Sequence, residues 1–266
     1  MMPAVCTIWA RRSTHLALAC FLLLAPVSRR LARGMSQEVA ATAAPGSLQN
    51  KADGNSLAYS NRADADVKLE ANPDSPFWRK AHSVLAEVDN QGWLEREYRT
   101  EVRSRWTRDN IYFLFICPYK HLYLNPKPDA AHETYELWKW NVAEVFIGSN
   151  FQNIKRYKEF EISPHDEWVD LDINLDNPHH EEGWVWNSGF EHAARIDDSK
   201  HIWYAAMRIP FAALDLPKPA AGQEFRVNFY RTEGAPAAAK QVMWRATMSK
   251  TFHVPESFAL LKLVAK

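Results

Sequence analysis

Trp168–Leu175 (WVDLDINL) places Val169, Leu171, Ile173 and Leu175 at every second position, with Trp168, Asp170, Asp172 and Asn174 between them. Period two is the signature of a strand with one buried face, because successive side chains leave the backbone on opposite sides. The apolar set is expected to face a core and the acidic set to face solvent. The same period runs outward in both directions. Upstream, Tyr157–Ile162 (YKEFEI) sets Phe160 and Ile162 against Glu159 and Glu161, and Ala143–Gly148 (AEVFIG) is a short strand. Further upstream, Thr100–Trp106 alternates, Thr107-Arg108-Asp109-Asn110 reads as a turn, and Ile111–Cys117 (IYFLFIC) is a fully buried strand, so the three form a hairpin. Downstream, strands are expected over Phe190–Ile196, Ile202–Ile209, Phe225–Thr232, Gln241–Ala246 and Phe258–Val264. Pro210 ends the Ile202 strand because it has no N–H to give to a ladder, and Phe211–Leu214 fits a single helical turn. Many short strands with turns between them and no long amphipathic helix predict an all-β, antiparallel sandwich of jelly-roll type in a single domain.

That domain is expected over residues 66–266. Residues 36–65 are rich in Ala, Ser, Gly, Asn and Asp, which predicts a disordered linker. Residues 1–35 read as a leader: Arg11 and Arg12 precede an apolar stretch, Leu16–Val27, that is too short to span a bilayer comfortably. Arg29, Arg30 and Arg33 follow it, no clean cleavage site stands out, and Met35 is an alternative start. The leader predicts a secreted or periplasmic protein with no membrane association in its mature form.

Composition excludes several classes of function. Lys+Arg and Asp+Glu are equal at 32 each over 266 residues, so no basic surplus draws the chain to nucleic acid. Cys6 and Cys20 fall in the leader, which leaves Cys117 alone in an apolar run, unable to form an internal disulfide or a CxxC metal site. The chain has no GxSxG, P-loop or GxGxxG pattern. The 11 tryptophans are a surplus that serves a core and also suits stacking on flat ligands such as sugar rings.

Seven segments, in order, resemble carbohydrate-binding module family 9. They are Asp74–Ala81, Val102–Ile116 with Trp106 and Tyr112, Trp138–Ile147, Tyr157–Pro164, Met207–Phe211, Arg226–Phe229, and Trp244 through Phe258. The resemblance implies non-catalytic carbohydrate binding, with a role in polysaccharide catabolism and a sugar held between two aromatic rings. By motif position those rings fall on Trp138 and Phe252, and the polar partner on Glu144; Asn141, Tyr230 and Arg231 complete the expected carbohydrate-binding set. The chemistry is apt: sugar C–H faces pack on aromatic planes, and a carboxylate accepts two hydroxyl donors. The chain departs from the family pattern at Asn141 (Asp in the family), at Phe252 (a smaller face than Trp), at Ala259 after Phe258, and near Glu161, where the family can place an Arg. The expected protein is a monomer whose partner is an oligo- or polysaccharide, with no cofactor.

Other readings remain beside this one. Glu144 on an apparent strand could equally be an internal ion pair with Arg231. His179-His180-Glu181-Glu182 invites a metal, but adjacent histidines diverge and Asn177-Pro178 precede them, so a solvated loop is expected. Asp170, Asp172, Asn174 and Asp176 offer the hard oxygens calcium uses, and family members carry structural calcium, yet alternating acids also form an ordinary solvent face. A haem b domain of the wider superfamily would need Met207, Met243, Met248 or a His as axial ligand, held non-covalently because no CxxCH is present. A glycoside hydrolase would draw two carboxylates from Glu144, Glu159 and Glu161.

Overall fold

The structure is a computed structural model that describes residues 56–216 and 218–265. The expected leader, with Cys6 and Cys20, and most of the expected linker lie outside the described residues. The chain forms β1 (Leu57–Arg62), β2 (His82–Ala86), β3 (Thr100–Trp106), β4 (Asn110–Pro118), β5 (Val142–Gly148), β6 (Arg156–Ile162), β7 (Trp168–Asn174), β8 (Glu191–Asp197), β9 (Ile202–Pro210), β10 (Glu224–Glu233), β11 (Lys240–Met243) and β12 (Ala259–Val264). Only short 3-10 turns interrupt them, including the expected one at Phe211–Leu214. No helix among the described residues is long and apolar enough to cross a membrane.

The strands hydrogen-bond in the order β7-β6-β5-β10-β12-β1-β3-β4-β9-β8, with β11 added beside β10 and β2 beside β3. This path folds into two layers. Val145, Phe160, Val227 and Phe229 from one half and Phe113, Phe115, Trp203 and Met207 from the other share a single buried core. Phe229 meets Phe113 at 5.4 Å and Phe115 at 6.0 Å, both edge to face, the arrangement that the aromatic quadrupole favours. The all-β sandwich is therefore the observed architecture. Pro210 occupies the last position of β9, opposite Asn110 at the first position of β4, so its missing N–H falls where the ladder ends.

Three differences from the sequence reading have physical causes. Residues 57–62, inside the expected linker, form β1, which pairs parallel with β12 over five residues. The strand (LAYSNR) carries few large apolar residues, but Ala58 and Ser60 are buried and Ser104 Oγ donates to Ser60 Oγ at 2.8 Å. β2 (HSVLA), too short and polar to stand out, is held by five pairs with β3.

The third difference concerns β6 and β7. Their core-facing residues are Phe160 and Ile162, opposite Asp170 and Trp168. Val169, Leu171 and Ile173 project from the other side of the sheet, in register with Glu161, Glu159 and Tyr157. That outer side is covered by a second apolar cluster containing Leu137, Trp138, Trp184, Phe252 and Phe258. Both sides of the sheet are thus covered, and Glu159, Glu161 and Asp170 are buried.

Candidate functional site

The outer side of β5 and β6 builds the floor of the site. Register places Glu144 opposite Glu161 and Phe146 opposite Glu159. On the neighbouring strand Tyr230 stands opposite Glu144. Trp138 enters from a 3-10 turn, Leu137–Lys139, whose buried Leu137 anchors it just ahead of β5. Trp138 meets the Tyr135 ring edge to face at 5.5 Å, and Tyr135 in turn meets Trp184 at 5.0 Å. Trp140, beside it, stacks on Tyr123 at 4.8 Å and supports the loop.

Phe252 arrives from the segment before β12. Its ring lies parallel to Tyr230 at 4.4 Å and 13°, and the Tyr230 hydroxyl donates to the Phe252 carbonyl at 3.0 Å. Asn228 Nδ2 donates to the same hydroxyl at 2.9 Å and to the Arg245 carbonyl at 2.9 Å, tying β10 to the chain that leads to Phe252. Tyr230 therefore backs Phe252 and leaves the opposite face of that ring free of it.

Trp138, Glu144 and Phe252, from three segments well apart in sequence, line one open cavity of about 290 Å³. Phe146, Glu159 and Leu171 line it as well, and Thr232, Gln241, Lys250 and Thr251 supply further polar groups. His180 and Glu181 also line it, so this part of the expected solvated loop belongs to the cavity, while His179 stays exposed. His253 closes one side: its Nδ1 is 2.6 Å from the Tyr157 hydroxyl and its ring is 4.4 Å from that of His180. Burial, with His180 adding to it, lowers the His253 pKa to about 4, so the ring is neutral, and its Nδ1 shares a hydrogen bond with the Tyr157 hydroxyl.

The carboxylates set the electrostatics. One ligand oxygen from each of Glu144, Glu159 and Glu161 lies within 4.8 Å of the other two. Burial holds the Glu144 carboxyl well above the usual carboxylate range, and the Glu159 charge adds to this. Burial pushes Glu159 up to about 7. Glu161 is raised by burial first, then by Glu144 and Glu159. Like charges in a dry setting disfavour ionisation of all three.

Three expected site residues do not line the cavity: Tyr230 is buried behind Phe252, and two more are turned elsewhere. Arg231 alternates with Tyr230 and so points between the sheets, where it pairs with Glu233, donates to Thr100 Oγ1 at 3.2 Å and lies 5.8 Å from the Trp203 ring. The alternative pairing of Glu144 with Arg231 is ruled out by the same parity. Asn141 is wholly buried; its Oδ1 accepts from the Tyr123 N–H at 2.7 Å and its Nδ2 donates to the Gly234 carbonyl at 3.1 Å. Both ends of its amide are spent on backbone, so it braces the loops around the site without lining the cavity.

The other constellations also resolve. Asp170 accepts from the Ser188 N–H at 2.8 Å, Asp172 pairs with Lys158 at 2.8 Å, Asn174 accepts from the Asp176 N–H at 3.2 Å, and Asp176 pairs with Lys155 at 2.6 Å. Each of the four thus has at least one protein partner, although Asp170 Oδ1 is buried without one. Met207 lies in the core between the sheets, Met243 in the outer cluster, and Met248 is exposed. Glu159 and Glu161 entered the sequence reading only as candidate hydrolase acids, His180 only as part of a solvated loop, and His253 not at all, yet the structure brings all four to the cavity or its floor. The parity shared by Glu144, Glu159 and Glu161 across neighbouring strands is the signal that sets the last two beside Glu144.

Comparison with known proteins adds three findings. A family model described as carbohydrate family 9 binding domain-like matches residues 71–266. A protein of Arthroderma benhamiae named "Extracellular protein" is 22% identical over 157 residues, covering 54% of this chain and 69% of its own length. Two solved structures of a carbohydrate binding module family 9 from Caldicellulosiruptor kristjanssonii are similar in fold. The one in complex with cellotriose has a TM-score of 0.56 at 12% identity, covering 79% of this chain and 94% of that one. The one in complex with glucose has a TM-score of 0.57 at 11% identity, covering 79% and 96%.

Proposed function

The chain belongs to the carbohydrate family 9 binding domain-like family, and we propose that it is an exported, non-catalytic protein that holds a sugar between Trp138 and Phe252 with Glu144 as a hydroxyl acceptor. The observation that carries this reading is the meeting of these three side chains in one open cavity. Their chemistry is that of a sugar pocket, apolar walls with a few placed polar groups. The volume of about 290 Å³ is at the small end of ligand pockets, which run from about 300 to 1,000 Å³. It fits one sugar ring or a chain end better than the middle of a polymer. The glucose and cellotriose bound by the two Caldicellulosiruptor modules make glucose and cello-oligosaccharides the first ligands to try. The extracellular name of the Arthroderma relative and the apolar stretch Leu16–Val27 support export, which suits a role in polysaccharide catabolism.

Binding is favoured over hydrolysis by the placement of the acids. A glycosidase flanks the scissile bond with carboxyl groups on its two sides. Here all three rise from two adjacent strands on a single floor, and Glu161 has no exposed surface.

A panel of mono- and oligosaccharides, followed by tryptophan fluorescence on the full chain, tests the proposal. The expected result is saturable quenching or a blue shift, with affinity falling at least about tenfold, ~1.4 kcal/mol, in Trp138→Ala. A folded protein that responds to no sugar refutes it.

A further inference from the structure

The glutamate cluster has a property that sugar binding leaves unexplained. Glu144 Oε1, Glu159 Oε2 and both oxygens of Glu161 are buried and have no hydrogen-bond donor from outside the cluster; within it the Glu159 and Glu161 carboxyls lie close enough to share a proton. Glu161 is 0% exposed, Glu144 2% and Glu159 3%. No ion pair among the described residues reaches any of the three; Lys250, which lines the same cavity, is exposed and forms none with them. Buried polar atoms are almost always partnered, so carboxyl oxygens with no donor from outside their cluster are balanced only by taking up protons or a cation.

We propose that Glu144, Glu159 and Glu161 bind a divalent cation of the calcium class at the floor of the cavity. Their ligand oxygens lie within 4.8 Å of one another. Donors about 2.3–2.6 Å from one calcium ion can be no more than about 5 Å apart, so a single ion can reach all three. The donor set is oxygen alone, which suits a hard cation and not zinc or copper. Calcium is preferred to magnesium because magnesium dehydrates reluctantly and keeps several waters, whereas Glu161 lies beneath the surface. The same burial argues against an ammonium group carried on an amino sugar, since a ring substituent cannot follow a bare ion down to a side chain with no accessible surface. Glu144 and Glu159 also line the cavity, so the open coordination positions face it. Sugar hydroxyls completing the shell would make sugar affinity depend on the cation; that consequence rests on the reading of the cavity as a sugar site, but the cation site does not.

The test titrates the full chain, freed of metal with EDTA, with terbium alone. Trp138 lines the same cavity, so bound terbium is expected to emit when indole is excited and to be displaced by calcium. Calcium is expected to raise Tm. Glu161→Gln, which keeps shape and removes charge, is expected to raise Tm without metal and to abolish both the emission and the calcium shift. Absence of terbium emission and of any calcium-dependent change in Tm in the folded wild-type protein overturns the proposal, as does retention of both in Glu161→Gln. Binding of glucosamine oligomers with no response to any cation overturns it in favour of an ammonium site. Sugar binding without cation binding sinks this inference alone, and cation binding without sugar binding sinks the sugar reading alone.

Discussion

His253 illustrates how single side chains tune the site. Its pKa is lowered to about 4 from an ordinary 6.5, chiefly by burial, so between these values the unfolded chain takes up a proton that the folded chain refuses. The stability His253 contributes is fully present above pH 6.5 and is lost as pH falls towards 4, about 3 kcal/mol in all. Thermal melts from pH 7 to 4.5 should show this loss, and His253→Gln, which cannot titrate, should flatten the curve over that range. An unchanged acid slope in the variant would assign the loss to other groups. At this scale the motifs named Trp138, Glu144 and Phe252, and the structure brings these three side chains to one cavity. The sequence misled at Arg231 because neighbours on a strand face opposite ways, and Tyr230 had taken the site side. It misled at Asn141 because a polar residue beside a binding motif looks the same whether it meets ligand or backbone.

At the scale of elements, the turn His180–Val185 holds His180 and Glu181 at the cavity and rests directly on β7. A Cβ added at Gly183 would come within 2.4 Å of the Asp172 carbonyl oxygen and 2.9 Å of its carbon. Both atoms are backbone and cannot rotate away. Gly183→Ala should therefore cost about 1–3 kcal/mol by overpacking and weaken ligand binding by displacing His180 and Glu181, which denaturant titration and a sugar titration would measure. A fully neutral substitution would show that the turn is free to lift off the strand. Nothing in the sequence distinguishes Gly183 from a loop glycine, since the constraint is a close approach between elements. The strands themselves were legible wherever large apolar residues alternate or run together, as in β4, β7 and β9. They were not legible in β1 and β2, whose pairing partners supply most of what orders them.

Across the whole molecule, the decisive feature is that the sheet carrying the site is buried on both sides. One side packs against the opposite sheet through Val145, Phe160 and Phe229. The other is roofed by segments carrying Leu137, Trp184 and Phe252, which leave the cavity open over Glu144 and Glu159. Period two in the sequence reports that a strand has two unlike faces, but not which face meets the main core. That is why the acidic positions of β6 and β7 read as a solvent face, although Glu159 and Glu161 belong to a dry floor. The central claim, that this floor and its aromatic walls form one sugar site, is tested most directly by calorimetric titration of the full chain with cellotriose in the presence of calcium. The account predicts one binding event per chain, abolished in the double variant Trp138→Ala/Phe252→Ala while the protein stays folded. Heat of binding that persists unchanged in that folded variant would place the sugar elsewhere and contradict the account.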